Sequence, residues 1–327
     1  MRIFYKNELF IEILFNKYLK AVNHQITMLD ELFTDPTEIR KGSEWWHIPL
    51  QKIITSGQTP HHIAFIMDGN RRFARKTDLE NIQRGHEKGC EQMFKILGWC
   101  HEMGIKEVTL YSFSIENFKR SSEEVNGLMQ LTEKILTKLV KQKERMETTQ
   151  IRYRVYGNMA MLSPNLRELI GRLQRMTKHY TKGQVNFCFA YTAQDDMNRA
   201  FEWIRKGIEK GLIQKNQIDE RLISRCLDTA GSEPDLLVRT SGELRLSDFL
   251  LWQCSSCHVY FDEDLWPEFN FVNLCKAILS YQMNIAKIDR ITGVLACKSY
   301  DSKMLEDLKE FLEWMDEEKE RQTDLIE

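Results

Sequence analysis

From Thr59 onward, short runs rich in β-branched and aromatic residues alternate with longer stretches whose apolar residues recur every three to four positions. The segments HHIAFIMD (61–68), VTLYSFS (108–114), IRYRVYG (151–157), QVNFCFAY (184–191), LLVRT (236–240) and HVYFDE (258–263) read as strands. Helical-period segments separate them, so successive strands are expected to run parallel and to be joined by crossover helices. The expected fold class is α/β: one domain over residues 59–285, with a central six-stranded, mostly parallel sheet flanked by helices. N-terminal and C-terminal helical extensions would occupy 1–58 and 286–327.

Two helices stand out. One starts after Arg84 and carries Cys90, Met93, Phe94, Leu97 and Cys100 on one face, with Gly104 suited to its C-terminal stop. The other begins at Ser121-Ser-Glu-Glu124, a capping-box pattern, before Val125, Leu128, Met129, Ile135, Leu136 and Leu139. Such stripes usually face a core, but they would equally line a tunnel for an oily ligand.

In the N-terminal extension, residues 43–56 place Trp45, Trp46, Ile48, Leu50, Ile53 and Ile54 among polar residues. That pattern suits either a membrane interface or docking on the protein's own core, and Pro49 is expected to interrupt any regular helix there. Residues 305–322 read as a solvated, acidic helix. No run approaches the roughly 18 apolar residues that span a bilayer; Phe10 to Phe15, the nearest, is cut by Glu12.

Charge narrows the function classes. With 46 basic and 48 acidic residues, the formal net charge is -2, so no global field recruits nucleic acid and an anionic ligand needs a local basic cluster. The eight cysteines show no metal-ligand rhythm, which fits a reducing, cytosol-facing location. Cys254 and Cys257 have CxxC spacing without a second Cys or His pair, and are expected to be packed or inert thiols.

Three loops after expected strands carry the chemistry. Asp68-Gly-Asn-Arg71-Arg72 follows the first strand: Gly69 permits close backbone approach, free N–H groups face an anion, and one carboxylate stands among phosphate-binding groups. Mg²⁺ commonly takes only one or two carboxylates and completes its shell with water and phosphate oxygens. Asn117 and Arg120 follow the second strand, and Arg239, Arg245 and Ser247 follow the fifth. In open α/β sheets, ligands bind beyond the carboxyl ends of strands, so these loops are expected to form one diphosphate pocket.

The strings HIAFIMDGNRR, YSFSIENFKRS, VNFCFAYT, DLLVRTSGELRLSDFLLWQ and LWPEF resemble the cis-prenyltransferase family of undecaprenyl and dehydrodolichyl diphosphate synthases, and within it the eukaryotic catalytic subunits. The resemblance spans about residues 59–285. It implies a Mg²⁺-dependent enzyme that adds isopentenyl diphosphate units in cis to farnesyl diphosphate, giving a long polyprenyl diphosphate for dolichol and glycosylation. Asp68 would hold the metal; Gly69, Asn70, Arg71, Arg72 and His86 would bind the allylic diphosphate; Arg120, Arg239, Arg245 and Ser247 would bind isopentenyl diphosphate; Asn117 would help orient the reacting ends. It further implies a Nogo-B-receptor-like regulatory subunit in a heteromer, and peripheral contact with the cytosolic face of the endoplasmic reticulum membrane.

The chain departs from the family pattern at several places. Leu244 and His258 stand where bacterial members have His and Glu, which would leave Asp68 as the only protein carboxylate on the ion. Ile82 replaces an Arg, for which Arg84 is a candidate substitute. A terminal Arg-x-Gly is not found, and Arg290-Ile-Thr-Gly293 has the wrong spacing. Of the rival classes, a non-catalytic binding subunit of this fold would lack Asp68 and the arginine loops. A trans-prenyltransferase needs paired DDxxD sites, which Asp195-Asp196-Met-Asn-Arg199 does not supply. No GxxxxGK[ST] or GxGxxG turn marks a nucleotide site.

Overall fold

The strand His62–Ile66 is buried at all five positions, as a strand must be when it is central to a parallel sheet covered on both faces. It belongs to a computed structural model that describes residues 46–79, 81–296 and 302–324. The strands are β1 (His62–Ile66), β2 (Glu107–Ser114), β3 (Ile151–Tyr156), β4 (Gly183–Tyr191), β5 (Leu236–Arg239) and β6 (His258–Phe261). The helices are α1 (His47–Thr55), α2 (Asn70–Lys76), α3 (Ile82–Glu102), α4 (Ser122–Lys141), α5 (Lys143–Thr149), α6 (Pro164–Thr177), α7 (Ala193–Glu209), α8 (Glu220–Cys226), α9 (Phe271–Ala296) and α10 (Ser302–Asp324).

All six expected strands are present, within a few residues of their expected bounds, in one wholly parallel sheet of order β3-β4-β2-β1-β5-β6. Alternate residues face opposite layers. Ile63, Phe65, Val108, Leu110 and Val238 meet Met93, Ile96 and Trp99 of α3 and Leu274 and Ile278 of α9. Ala64, Ile66, Cys188 and Leu237 meet Phe249 and Leu250 on the other face.

Local signals set the helix ends. The Asn81 side chain accepts the Arg84 N–H (3.0 Å), so α3 starts at Ile82 rather than after Arg84, and Gly104 (φ 79°) follows its C-cap Met103 as expected. Ser121 accepts the Glu124 N–H (3.3 Å), half of the expected capping box. The other half is missing because the Glu124 carboxylate is held by Arg120.

Two expectations are corrected. Pro49 does not break the segment after Trp46: it sits in the first turn of α1, where its missing N–H would have had no intrahelical acceptor. That helix docks on the core through His47 and Ile54 but leaves Ile48 and Ile53 over half exposed. Trp45 lies outside the described residues. Nor is the acidic C-terminal helix solvated all round, since Leu308, Phe311 and Met315 are fully buried against Ala200, Trp203 and Ile204 of α7. Their spacing places all three on one stripe of α10.

The β3 edge of the sheet is covered by side chains. Gln174 accepts the Val155 N–H (2.9 Å) and Thr177 accepts the Tyr153 N–H (3.0 Å), both from α6. Edge strands otherwise invite pairing with another chain.

At the start of α7, Asp196 is almost wholly buried and accepts bonds from the Tyr191 hydroxyl (3.0 Å) and the Asp228 N–H (2.9 Å). Burial, then the Asp228 charge, pushes its carboxyl up to about 7. The folded chain thus keeps a proton that the unfolded chain loses near pH 4, a contribution present at low pH and lost as pH rises through about 7. The melting-temperature advantage of the parent over Asp196→Asn should therefore shrink between about pH 4 and pH 7; a pH-independent difference in thermal melts would refute this.

Candidate active site

The chain leaves β1 toward β2 on one side and β5 toward β6 on the other, so the loops after β1 and β5 part and open a crevice at their carboxyl ends. Asp68 stands in the first of these loops. Its backbone is clamped: the Thr240 hydroxyl accepts its N–H (3.0 Å) and donates to its carbonyl (2.7 Å), and the Trp266 N–H donates to that carbonyl (2.9 Å). Gly69 then takes φ 112°, where a Cβ would press Leu265 at 3.0 Å. Asn70 fits against Gly85 and Gly89 of α3, at both of which a Cβ would overlap it.

Arg239 ends β5 with a side chain only 3% exposed. Its Nη2 donates to Asp68 Oδ2 (2.8 Å), and its Nη1 donates to Ser247 Oγ (2.7 Å) and to the Arg245 carbonyl. Arg72 donates to the Ser241 carbonyl (3.0 Å) and hydroxyl, and lies 3.8 Å from Asp68 Oδ1 and 3.4 Å from Glu243. Arg245 is exposed and pairs with Glu243.

The loop carrying Ser247 holds Ser241, Ser247, Asp248 and Leu250 at positive φ, a strained set for residues with side chains. Its surroundings fix it: Tyr111 shares its hydroxyl hydrogen between the Ser247 (3.2 Å) and Tyr191 (3.1 Å) carbonyls. Asp248 accepts the Gln194 N–H (3.2 Å) at the start of α7.

A second group of charges meets at Glu124. Arg120 donates to it at 2.8 Å, with His86 Nε2 at 3.4 Å and Arg71 Nε at 4.0 Å. Burial lowers the His86 pKa, reinforced by Arg120 and Arg71 and opposed by Glu124, which favours a neutral imidazole. Burial and Arg71 likewise pull the Arg120 guanidinium down. Asn117 has its carbonyl oxygen engaged by the Ser114 N–H (3.0 Å) within the turn after β2.

Five guanidiniums therefore face three carboxylates, and two buried polar atoms here lack a hydrogen-bond partner, Arg239 Nε and Asn70 Oδ1, while His86 Nε2 has only its 3.4 Å contact with Glu124. Buried polar groups are nearly always satisfied, so this arrangement suits an anion with several acceptor oxygens. From Asn70 and His86 an apolar cavity of about 110 Å³ runs between α3 and α4, lined by Cys90, Met93, Leu128 and Leu139 among others. Both stripes singled out in the sequence thus contribute to a core and to this cavity.

Residues 66–289 match the family model described as "Putative undecaprenyl diphosphate synthase". The chain belongs to this family, the cis-prenyltransferases. It is 45% identical to the human dehydrodolichyl diphosphate synthase complex subunit over 77% of this chain and 75% of that one. It is 40% identical to a tritrans,polycis-undecaprenyl-diphosphate synthase (geranylgeranyl-diphosphate specific) of Archaeoglobus fulgidus, over 71% and 93% of the two chains. The solved lavandulyl diphosphate synthase of Lavandula x intermedia, in complex with dimethylallyl diphosphate, superposes with a TM-score of 0.64 at 31% identity, covering 68% of this chain and 95% of that one.

Leu244 is 75% exposed on its loop. His258 sits at the amino end of β6, opposite Leu236, and bonds Ser280 of α9 (2.9 Å). Arg84 is exposed and pairs with Glu87 (2.9 Å), and residues 290–293 are part of α9. Glu124, Thr240, Ser241, Trp266 and Tyr111 are among the contributors that sequence reasoning missed. Arg120 precedes α4 in extended backbone, so only the fold, and no helical spacing, brings it to Glu124.

Replacing Arg239 by Lys keeps the charge but loses the fork that ties Asp68 to Ser247. We expect kcat/KM to fall by about 100-fold, the equivalent of one or two charge-assisted hydrogen bonds. Steady-state kinetics of the variant near parental values would show that the fork is dispensable.

Proposed function

We propose that this chain is the catalytic subunit of a dehydrodolichyl diphosphate synthase complex, which condenses farnesyl diphosphate with several isopentenyl diphosphates in cis to give a long polyprenyl diphosphate. The observation that carries the reading is the junction at Asn70 and His86, where a basic cup meets an apolar cavity. Such a junction fits a molecule with a diphosphate at one end and an isoprenoid chain at the other.

In this proposal Gly69, Asn70, Arg71, Arg72 and His86 hold the allylic diphosphate, while Arg120, Arg239, Arg245 and Ser247 hold isopentenyl diphosphate. Asn117 helps to align the two. The new carbon–carbon bond forms as the allylic diphosphate leaves and a proton is lost, so negative charge gathers on the departing group. Guanidiniums already fixed by Asp68, Glu124 and Glu243 meet that charge with little rearrangement. Fixing both substrates also turns a two-body encounter into a single-site event.

The donor set fits one Mg²⁺ held by Asp68. Among the described residues no three His, Cys, Asp or Glu side chains cluster as a metal site, so substrate oxygens and water would complete the shell. Asp68 Oδ1 is the oxygen turned away from Arg239. When bound, the ion would neutralise the leaving diphosphate.

Two further elements complete the proposal. Human and mouse relatives are subunits of a complex by name, which supports a heteromer, and the partner proposed for it is a Nogo-B-receptor-like subunit. Among the described residues no helix is long and apolar enough to cross a membrane, and an oily product supports peripheral contact with the endoplasmic reticulum.

Radiolabelled isopentenyl diphosphate supplied with farnesyl diphosphate and Mg²⁺ should enter long polyprenyl products when the chain and its partner are combined. Asp68→Ala or chelation of the metal should lower incorporation by about 100- to 1,000-fold, the scale of one lost electrostatic contact to the reacting group. Unchanged incorporation with Asp68→Ala would assign the chemistry to the partner. Leu139→Trp, which fills the cavity, should shorten the products while leaving the first condensation intact; an unaltered length distribution on thin-layer chromatography would remove the cavity from the product path.

A further inference from the structure

In a parallel sheet of this kind both faces are ordinarily covered and apolar. Strand β3 breaks that rule. Arg152 and Arg154, two residues apart and so on one face, look into an open groove of about 980 Å³ floored by β3 and walled by α6, α7 and the end of α10. It lies at the opposite side of the sheet from β5, with β4, β2 and β1 between.

Nine Lys and Arg side chains line this groove against four Asp and Glu. The acids already have partners: Asp228 takes Arg199 through two bonds (2.7 and 2.8 Å), Asp316 takes Arg225 (2.9 Å), Glu320 takes Lys178 and Glu202 takes Arg205. Arg152, Arg154 and Arg167 have no carboxylate partner among the described residues. Arg154 rests 5.1 Å over the Tyr156 ring, and burial together with the Arg154 charge pulls the Arg152 guanidinium down. The Arg152 and Arg154 charges repel each other, and an anion between them would relieve that repulsion. Two buried polar atoms of lining residues also lack hydrogen-bond partners, Arg167 Nε on α6 and the hydroxyl of Tyr156, which is 2% exposed. Unsatisfied donors, uncompensated guanidiniums and a cleft of small-molecule size therefore coincide.

We propose that this groove is a second anion site, which binds a phosphate or diphosphate group through Arg152, Arg154 and Arg167. The edge N–H groups of Tyr153 and Val155 are already taken by Thr177 and Gln174, so the groove offers side chains rather than a strand edge. The inference stands whether or not the proposed reaction is right. Two sources supply this chemistry, a soluble diphosphate or a phosphorylated lipid headgroup.

Hydrogen exchange on the full chain in its complex, without Mg²⁺, reads the two sites apart. One arm uses sodium diphosphate and the other phosphatidylcholine vesicles containing phosphatidylinositol 4-phosphate. Protection at 152–160 and 167–178 is expected in at least one arm, with diphosphate protection marking a soluble ligand and vesicle-only protection a headgroup. Arg152→Gln with Arg154→Gln should weaken that binding by about tenfold or more per arginine while leaving prenyl transfer unchanged. Arg167→Gln, at a partly exposed helix position, serves if the double variant misfolds. No protection of these segments with either probe, or protection that persists at the same concentration in the variants, overturns the proposal.

Discussion

The active-site geometry depends on one buried guanidinium. Arg239 is the last residue of β5, and its side chain joins the loop after β1 to the loop before β6 by bonding Asp68 and Ser247 at once. Taking such a charge from water costs several kcal/mol, which short charge-assisted bonds offset only when the geometry holds. The clamp of Thr240 and Trp266 on Asp68, and of Tyr111 and Asp248 on the strained Ser247 loop, is what holds it. Stability and site are thus the same set of contacts: loosening either loop leaves a buried charge unpaired.

The two ends of the sheet spend their polar groups differently. At the amino end His62, Thr109, Asn186 and Glu107 bond one another inside the sheet (His62 to Thr109 2.7 Å, Asn186 to Glu107 2.7 Å). Burial lowers the His62 pKa and keeps the ring neutral, and of this network only Asn186 Oδ1 is left without a partner. At the carboxyl end the network stays open, with arginines in excess and unpaired atoms left over. A parallel sheet gathers its functional loops at one end, and the bonds among His62, Thr109, Asn186 and Glu107 brace the other.

Much of this was legible in the sequence because the chemistry sits at strand ends. The six β-type runs carry strong period and composition signals; Asp68 lies just past β1, Arg239 ends β5, and Ser247 is in the loop after it. What hid was whatever has two local readings. Glu124 satisfies a capping pattern and an ion pair equally, and only the fold puts His86 and Arg71 beside it. The acidic surface of α10 masked Leu308, Phe311 and Met315, whose stripe needs α7 as a partner to be recognised. Pro49 misled because a helix-breaking residue is harmless in a first turn. The groove beside β3 was invisible because α7 and α10, which help to line it, lie far from β3 in sequence and meet it only in the fold.

The covering of β3 by α6 also has a meaning in the order of synthesis. The helix that supplies Gln174 and Thr177 is the next regular helix the ribosome releases after β3, ahead of β4. Exposed strand edges are hazardous mainly while a chain waits for distant segments to arrive. Here the cover arrives within about twenty residues, so the vulnerable edge is shielded locally while the sheet is still being made.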